Sequence, residues 1–155
     1  MKIAVLSDTH GLLRRAVVGQ LGDCPYILHA GDVIRESDLD ELGLHGRIYA
    51  VRGNCDRWSF GLENLCATLR FRIEGVSFYM THDPADVPRD LTGIDAVVCG
   101  HTHCYREAWT DGRLWLNPGS CGRARPGLAV TMAKLTVENG KITGVERIEF
   151  DDAEP

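Results

Sequence analysis

Five short stretches of the chain combine oxygen and imidazole donors with small residues. They are Ser7-Asp8-Thr9-His10, Ala30-Gly31-Asp32, Arg52-Gly53-Asn54-Cys55-Asp56, Met80-Thr81-His82-Asp83 and Cys99-Gly100-His101-Thr102-His103. Each follows an apolar run that reads as a β-strand. Asp8 and His10 are alternate residues, as are His101 and His103, and alternate residues of an extended chain point the same way. Gly31 and Gly53 place a small residue beside Asp32 and Asn54, so the backbone can turn sharply and an anion can approach. Asp8, Asp32 and Asn54 offer oxygens; His10, His82, His101 and His103 offer imidazoles. If the strand tips lie together, these side chains form a site for transition-metal ions, two by the number of donors. One Asp-x-His is usually an ordinary turn, and one Gly-Asp carries almost no information. Five such motifs in order, each at a strand tip, are not explained by packing.

The elements that must position them read as follows. Lys2 to Leu6 is a short apolar strand of the kind buried in a mixed or parallel sheet. Leu12, Leu13, Ala16, Val17 and Leu21 recur at helical spacing, with Arg14 and Arg15 on the exposed face and Gly22 and Pro25 as the stop. Tyr26 to Ala30 and Ile48 to Val51 are further strands. Between them Ser37 caps a helix carrying Leu39, Leu42 and Leu44. This β-α-β-α-β order predicts parallel strands with crossover helices. Hairpins follow across Glu74-Gly75, Asp111-Gly112 and Asn139-Gly140. Asp95 to Cys99 is another apolar strand, and the two prolines between Asp83 and Leu91 allow only a short helix. The expected fold is α/β: residues 1–155 as one domain, a sandwich of two mixed β-sheets flanked by helices, with a frayed end at Asp151 to Pro155.

A chain of 155 residues, 44% of them hydrophobic, can bury one core. Its formal net charge of -5 leaves no dense basic stripe for a long nucleic acid. No run approaches the roughly 20 apolar residues that span a bilayer, and Ile3 to Leu6 is too short for a signal peptide. A cytoplasmic protein without a membrane partner is expected. Cys24, Cys55, Cys66, Cys99, Cys104 and Cys121 contain no C-x-x-C pair, which argues against a zinc ribbon or a disulfide framework. The hairpin edges leave a homo-oligomer open.

Taken in this order, Asp-x-His, Gly-Asp, Gly-Asn-x-Asp, a lone His and Gly-His-x-His resemble the signature of the calcineurin-like metallophosphoesterases. The short chain, Gly53-Asn54-Cys55-Asp56 and Asn117-Pro118-Gly119-Ser120 look most like its small single-domain phosphodiesterases of the YfcE type. The resemblance covers nearly the whole chain. It implies a phosphodiesterase for small organic phosphodiesters with two divalent transition-metal ions. Asp8, His10 and His103 would hold one ion, Asn54, His82 and His101 the other, and Asp32 would bridge them. Imidazole and carboxylate together suit manganese first, with iron, zinc or nickel as alternatives. Two ions about 3.5–4 Å apart can share a hydroxide, lower its pKa and clamp phosphate oxygens. Asn54 or His101 would stabilise the added charge. The rival readings are a phosphomonoesterase and, in another class, a protein-binding scaffold resembling the retromer-coat subunit of the same fold. The complete donor set argues against the scaffold.

Cys55 stands where many superfamily members carry a His that protonates the leaving oxygen. A thiol is a poorer donor, so esters with good leaving groups should turn over fastest. The plain expectation is that Cys55 packs beneath its loop. Asp83-Pro84 replaces a Gly-His common among relatives, which unsettles substrate contacts there but removes no ligand. Asp56 is expected to brace loop N–H groups, His29 to be a core or supporting residue, and Asn117 to brace the metal-bearing loops. Arg123 and Arg125 are candidates for phosphate binding, although a solvated loop is the simpler reading. Trp58 and Phe60 can stack on a base or aryl group, or form an interface; Trp109 and Trp115 read as packing residues.

Overall fold

The computed structural model describes all 155 residues. Two five-stranded sheets face each other. The first contains β1 (Lys2–Leu6), β2 (Tyr26–His29), β3 (Arg47–Ala50), β9 (Val130–Glu138) and β10 (Lys141–Phe150). Its order is β10-β9-β1-β2-β3; β1, β2 and β3 are parallel, and β9 and β10 run antiparallel. The second contains β4 (Thr68–Ile73), β5 (Val76–Thr81), β6 (Ala96–Val98), β7 (Tyr105–Thr110) and β8 (Arg113–Pro118). Its order is β4-β5-β6-β8-β7, with β5, β6 and β8 parallel. All three predicted hairpins form.

Strand alternation explains why β1 is apolar throughout. Ile3 and Val5 enter the core between the sheets with Leu28, Phe78, Met80 and Val98. Ala4 and Leu6 face the other way, against Val17 of α1 (Arg15–Val18) and Leu42 of α2 (Glu36–Gly43). The helices therefore cover the first sheet. The outer face of the second is covered by Leu91 and Ile94, with Val87 and Trp115 packed against them. Trp115 packs as expected, whereas Trp109 is half exposed.

The structure corrects the first helix and its surroundings. The expected helix from Leu12 to Leu21 is only four residues of α1. The chain before it is tied down elsewhere: Gly11 N–H donates to the Val33 carbonyl and Leu12 N–H to Thr9. Arg14 is extended (φ -69, ψ 142) rather than helical. Ser37 caps nothing, because α2 begins one residue earlier, after Arg35. Arg14, expected on an exposed face, is 1% exposed. Its guanidinium donates to the Gly122 carbonyl twice, at 2.7 and 2.9 Å, and to the carbonyls of Asp151, Asp152 and Glu154. It also pairs with the Asp152 carboxylate at 2.9 Å. The C-terminal residues are thus docked rather than frayed, and the reason is electrostatic: their carbonyls and one carboxylate solvate a buried cation.

Removing the cation leaves the buried Gly122 carbonyl without its donors. Arg14→Ala should lower stability by about 3 kcal/mol, read as a fall in the urea midpoint. Deleting Asp151 to Pro155 should cost less, because both bonds to Gly122 survive. Equal losses, or none for Arg14→Ala, contradict this assignment.

Candidate metal centre

Every expected donor emerges at the carboxyl end of a parallel strand or just beyond it. β1 leads to Asp8 and His10, β2 to Asp32 and β3 to Asn54; β5 leads to His82, and β6 to His101 and His103. The two sheets place these ends along one edge, the place where open α/β sheets bind ligands. Asp8, His10, Asp32, His101 and His103 all have positive φ, between 48° and 71°. A non-glycine residue there costs about 1–2 kcal/mol, so the surrounding bonds must hold it. They run from loop to loop. Asp8 N–H donates to Gly31 O at 3.0 Å and His10 N–H to Asp32 O at 2.9 Å. His101 N–H donates to the Asp8 carboxylate at 3.0 Å.

Three polar side chains brace these loops, as the sequence suggested. The buried Asp56 carboxylate accepts from the N–H groups of Asp32, Ile34 and Gly53 at 2.8–2.9 Å. Asn117 donates to Gly100 O and Thr102 Oγ1 and accepts from Gly119 N–H. His29 joins the Asp8 and Asp32 loops through Thr9 and Gly31. Ser7 and Ser120 had no role assigned from the sequence, whereas Gly31 and Gly53 were read there as sharp turns beside Asp32 and Asn54. Ser7 Oγ donates to Asp8 Oδ2 at 2.6 Å, and Ser120 Oγ to the Asp8 carbonyl at 2.9 Å. A Cβ at Gly31 would lie 2.7 Å from His82 Nδ1, and one at Gly53 would overlap the Asp32 carboxylate. For Ser7, its place beside Asp8 was the available signal.

At the floor, electron-pair donors face one another. His82 Nδ1 lies 2.7 Å from the Ala30 carbonyl, which only an N–H can bond. Its Nε2 then points a lone pair at Asp32 Oδ2, 3.2 Å away, and at Asp8 Oδ1, 3.9 Å away. His103 Nε2 is 3.2 Å from Asp8 Oδ1. His10 Nε2 is 3.5 Å from both Asp8 Oδ1 and Asp32 Oδ2, and 3.3 Å from His103 Nε2. Asp8 Oδ1 and His82 Nε2 are buried without a hydrogen-bond partner. Such a cluster needs cations among its members, either protons or metal ions. The proton pull is visible at both kinds of group. Burial raises the Asp8 carboxyl, but the neighbouring His10 and His103 imidazoles and the bond from Ser7 outweigh it and hold the group far below the usual carboxylate range. Asp32 is likewise lowered, burial being outweighed by His82. Burial lowers His82, but its contact with Asp32 and the Asp8 charge raise it overall.

The remaining expected residues lie at the rim or outside it. His101 and Asn54 are exposed and bonded to each other, His101 Nδ1 to Asn54 Oδ1 at 3.2 Å. The His101 ring meets His82 edge-on, with centroids 5.1 Å apart. Cys55 does not pack beneath its loop. It is exposed, its sulfur lying within 4.8 Å of donor atoms of His10 and Asp32, because its N–H is used by Asp32 Oδ1 at 2.8 Å. Arg123 and Arg125 are exposed on the loop after Gly122. A cavity of about 340 Å³ opens beside Asn54 and His82, lined also by Arg52, Arg57, Trp58, Asp83 and Asp86, and neither Arg123 nor Arg125 reaches it. A second cavity of about 320 Å³, between Asp95, Trp109 and Gly140, holds no donor cluster.

Known proteins share the family and the fold. Residues 1–140 match the Calcineurin-like phosphoesterase superfamily domain. A probable metallophosphoesterase of Methanothermobacter thermautotrophicus is 33% identical over 135 residues, covering 77% of each chain. An archaeal phosphodiesterase of known structure superposes with a TM-score of 0.76 at 24% identity, covering 97% of this chain and 100% of that one. Vps29 of Entamoeba histolytica, crystallised with zinc, gives 0.73 at 20% identity with the same coverage. At these identities the two structural likenesses show the fold. No helix is long and apolar enough to cross a membrane.

His29 carries a pH signature of its own. It is fully buried. Gly31 N–H donates to its Nδ1 at 3.2 Å, so the ring proton sits on Nε2 and donates to Thr9 Oγ1 at 3.0 Å. Protonating Nδ1 would break the Gly31 bond, and burial pushes the pKa down to about 4. An unfolded imidazole titrates near 6.5. Between these values the unfolded chain binds more protons, so stability is full above about pH 6.5. It falls by about 3 kcal/mol as the pH drops towards 4. His82, raised by Asp32, acts in the opposite sense and above the unfolded value, outside this window. Urea midpoints of chelator-treated protein should decline through the interval, and His29→Gln should flatten the decline. A wild-type midpoint unchanged across it contradicts the neutral, singly protonated His29.

Proposed function

The chain belongs to the calcineurin-like phosphoesterase superfamily, and from that premise we propose that it hydrolyses small organic phosphodiesters with two divalent transition-metal ions, manganese foremost. One observation carries the reading: a single buried carboxylate oxygen is approached by two imidazole nitrogens. Asp32 Oδ2 has His10 Nε2 at 3.5 Å and His82 Nε2 at 3.2 Å. Asp8, His10 and His103 would hold one ion, Asn54, His82 and His101 the other, and Asp32 would serve both. Ions so held would supply Lewis acidity and lower the pKa of water.

The chain's own residues define the rest. Ser7 and the backbone of His101 occupy Asp8 Oδ2, which leaves Oδ1 directed inward. Cys55 N–H does the same for Asp32 Oδ1, freeing Oδ2. His10 and His101 have side chains 21% and 42% exposed, so substrate approaches from that side. His101 and the Asn54 amide stand at the rim, placed to donate hydrogen bonds to phosphate oxygens as negative charge grows on them. Cys55 stands exposed at the same rim, its sulfur within 4.8 Å of donor atoms of His10 and Asp32. Burial and the Asp32 charge push its thiol up, which makes it a weak proton donor and favours diesters with good leaving groups over alkyl monoesters. All six cysteines are free, as in a cytoplasmic enzyme.

Bis(p-nitrophenyl) phosphate should be cleaved with manganese and not after chelation. His101→Ala should lower kcat by about 10²–10³-fold with circular dichroism unchanged; wild-type kcat in that variant contradicts its role. Across a series of aryl methyl phosphates, log kcat should fall steeply as the leaving-group pKa rises, and Cys55→His should flatten the line. A flat wild-type line contradicts the weak-donor account.

A further inference from the structure

Apart from Asn54 and His82, the residues lining the cavity beside the metal centre are not among the donors assigned to the ions. Trp58 is 88% exposed and Phe60 91%. Their loop does not lack anchorage, for Leu62 is fully buried and Ser59 N–H is bonded to Asp56 O at 3.0 Å. Trp58 thus lines the cavity from an anchored loop, with its ring left almost wholly to solvent. Arg57 makes no hydrogen bond or ion pair, and Arg52 only a long one, 3.5 Å to the Glu63 carbonyl. Asp83 and Asp86 line the same cavity. None of the ion pairs joins either arginine to either aspartate. Asp83 accepts from Ala85 N–H and lies 3.8 Å from His101 Nε2, so the Arg57 guanidinium and the Asp86 carboxylate are the donor and acceptor left for a ligand.

We propose that this cavity is the subsite for one ester substituent and that the substituent is a nucleoside. The inference rests on the phosphodiesterase reading and narrows its substrate. A group in the cavity adjoins Asn54 and His82, so it can be covalently attached to a phosphate at the metal centre. A hydrocarbon substituent would strip water from four charges and return nothing. A second anionic group would be drawn to the arginines but would meet Asp83 and Asp86. A nucleoside fits both demands: its base has a flat face for Trp58, and its base edge and hydroxyls carry donors and acceptors for the charged side chains. The volume of about 340 Å³ is that of a small-ligand site.

Two p-nitrophenyl esters with the same leaving group test this, one of adenosine 5′-phosphate and one of methyl phosphate. With manganese-loaded protein the nucleoside ester should have the lower KM, by about ten-fold or more. Trp58→Ala and Arg57→Ala should each raise that KM several-fold more than the KM of the methyl ester. Separately, adenosine 5′-monophosphate should quench tryptophan fluorescence, and Trp58→Phe should abolish the quenching. Equal KM values for the two esters, or quenching that persists in Trp58→Phe, overturn the subsite. Cleavage of neither ester overturns the phosphodiesterase reading instead, and the quenching then still decides the subsite.

Discussion

The hydrogen bond between His82 Nδ1 and the Ala30 carbonyl, 2.7 Å long, governs the chemistry of this edge. It joins the end of a strand in one sheet to the end of a strand in the other. It also fixes which nitrogen of His82 carries the proton, and so turns a lone pair toward two buried carboxylates. Lone pairs facing carboxylates in a dry site repel unless positive charge lies between them. Gly31 is required beside this bond because any side chain there would press on the imidazole. Fold, tautomer and affinity for cations are therefore one constraint seen at three levels.

The strain follows from the same demand. Five donor residues have left-handed backbone conformations, which turn their side chains sharply off the strand ends. Bonds between loops hold them, and the polar groups that make those bonds are themselves buried: Asp56, His29, Ser7 and Ser120. The floor is thus rigid and over-determined. The rim differs. His101, Asn54 and Cys55 are exposed, and none of the buried bonds that tie the loops together passes through the His101 or Cys55 side chain.

Much of this was legible in the residues. Strands and hairpins could be read because apolar runs ended at Gly-containing turns, and the donors because each stood at such an end. Parallel strands then bring like ends together, so motif order alone placed the site. The side chains misread were those whose partners are remote in sequence. Arg14 looks like a surface arginine, since nothing near it announces Gly122 and the C-terminal carbonyls. Cys55 looks like a packed thiol, since its exposure comes from its own N–H being committed to Asp32. Helix α1 is short because residues before it are bound to another strand's loop, a tertiary effect that helical spacing does not register. Arg57 and Trp58 flank a recognisable motif, but only the cavity shows that they share a wall.

The proposed function depends on Asp32 drawing two cations to one place. Metal content after equilibrium dialysis against manganese tests it most directly. Two ions should remain per wild-type chain, and Asp32→Asn protein of unchanged fold should retain fewer. No retained manganese in the wild type, or undiminished retention in Asp32→Asn, would contradict the account.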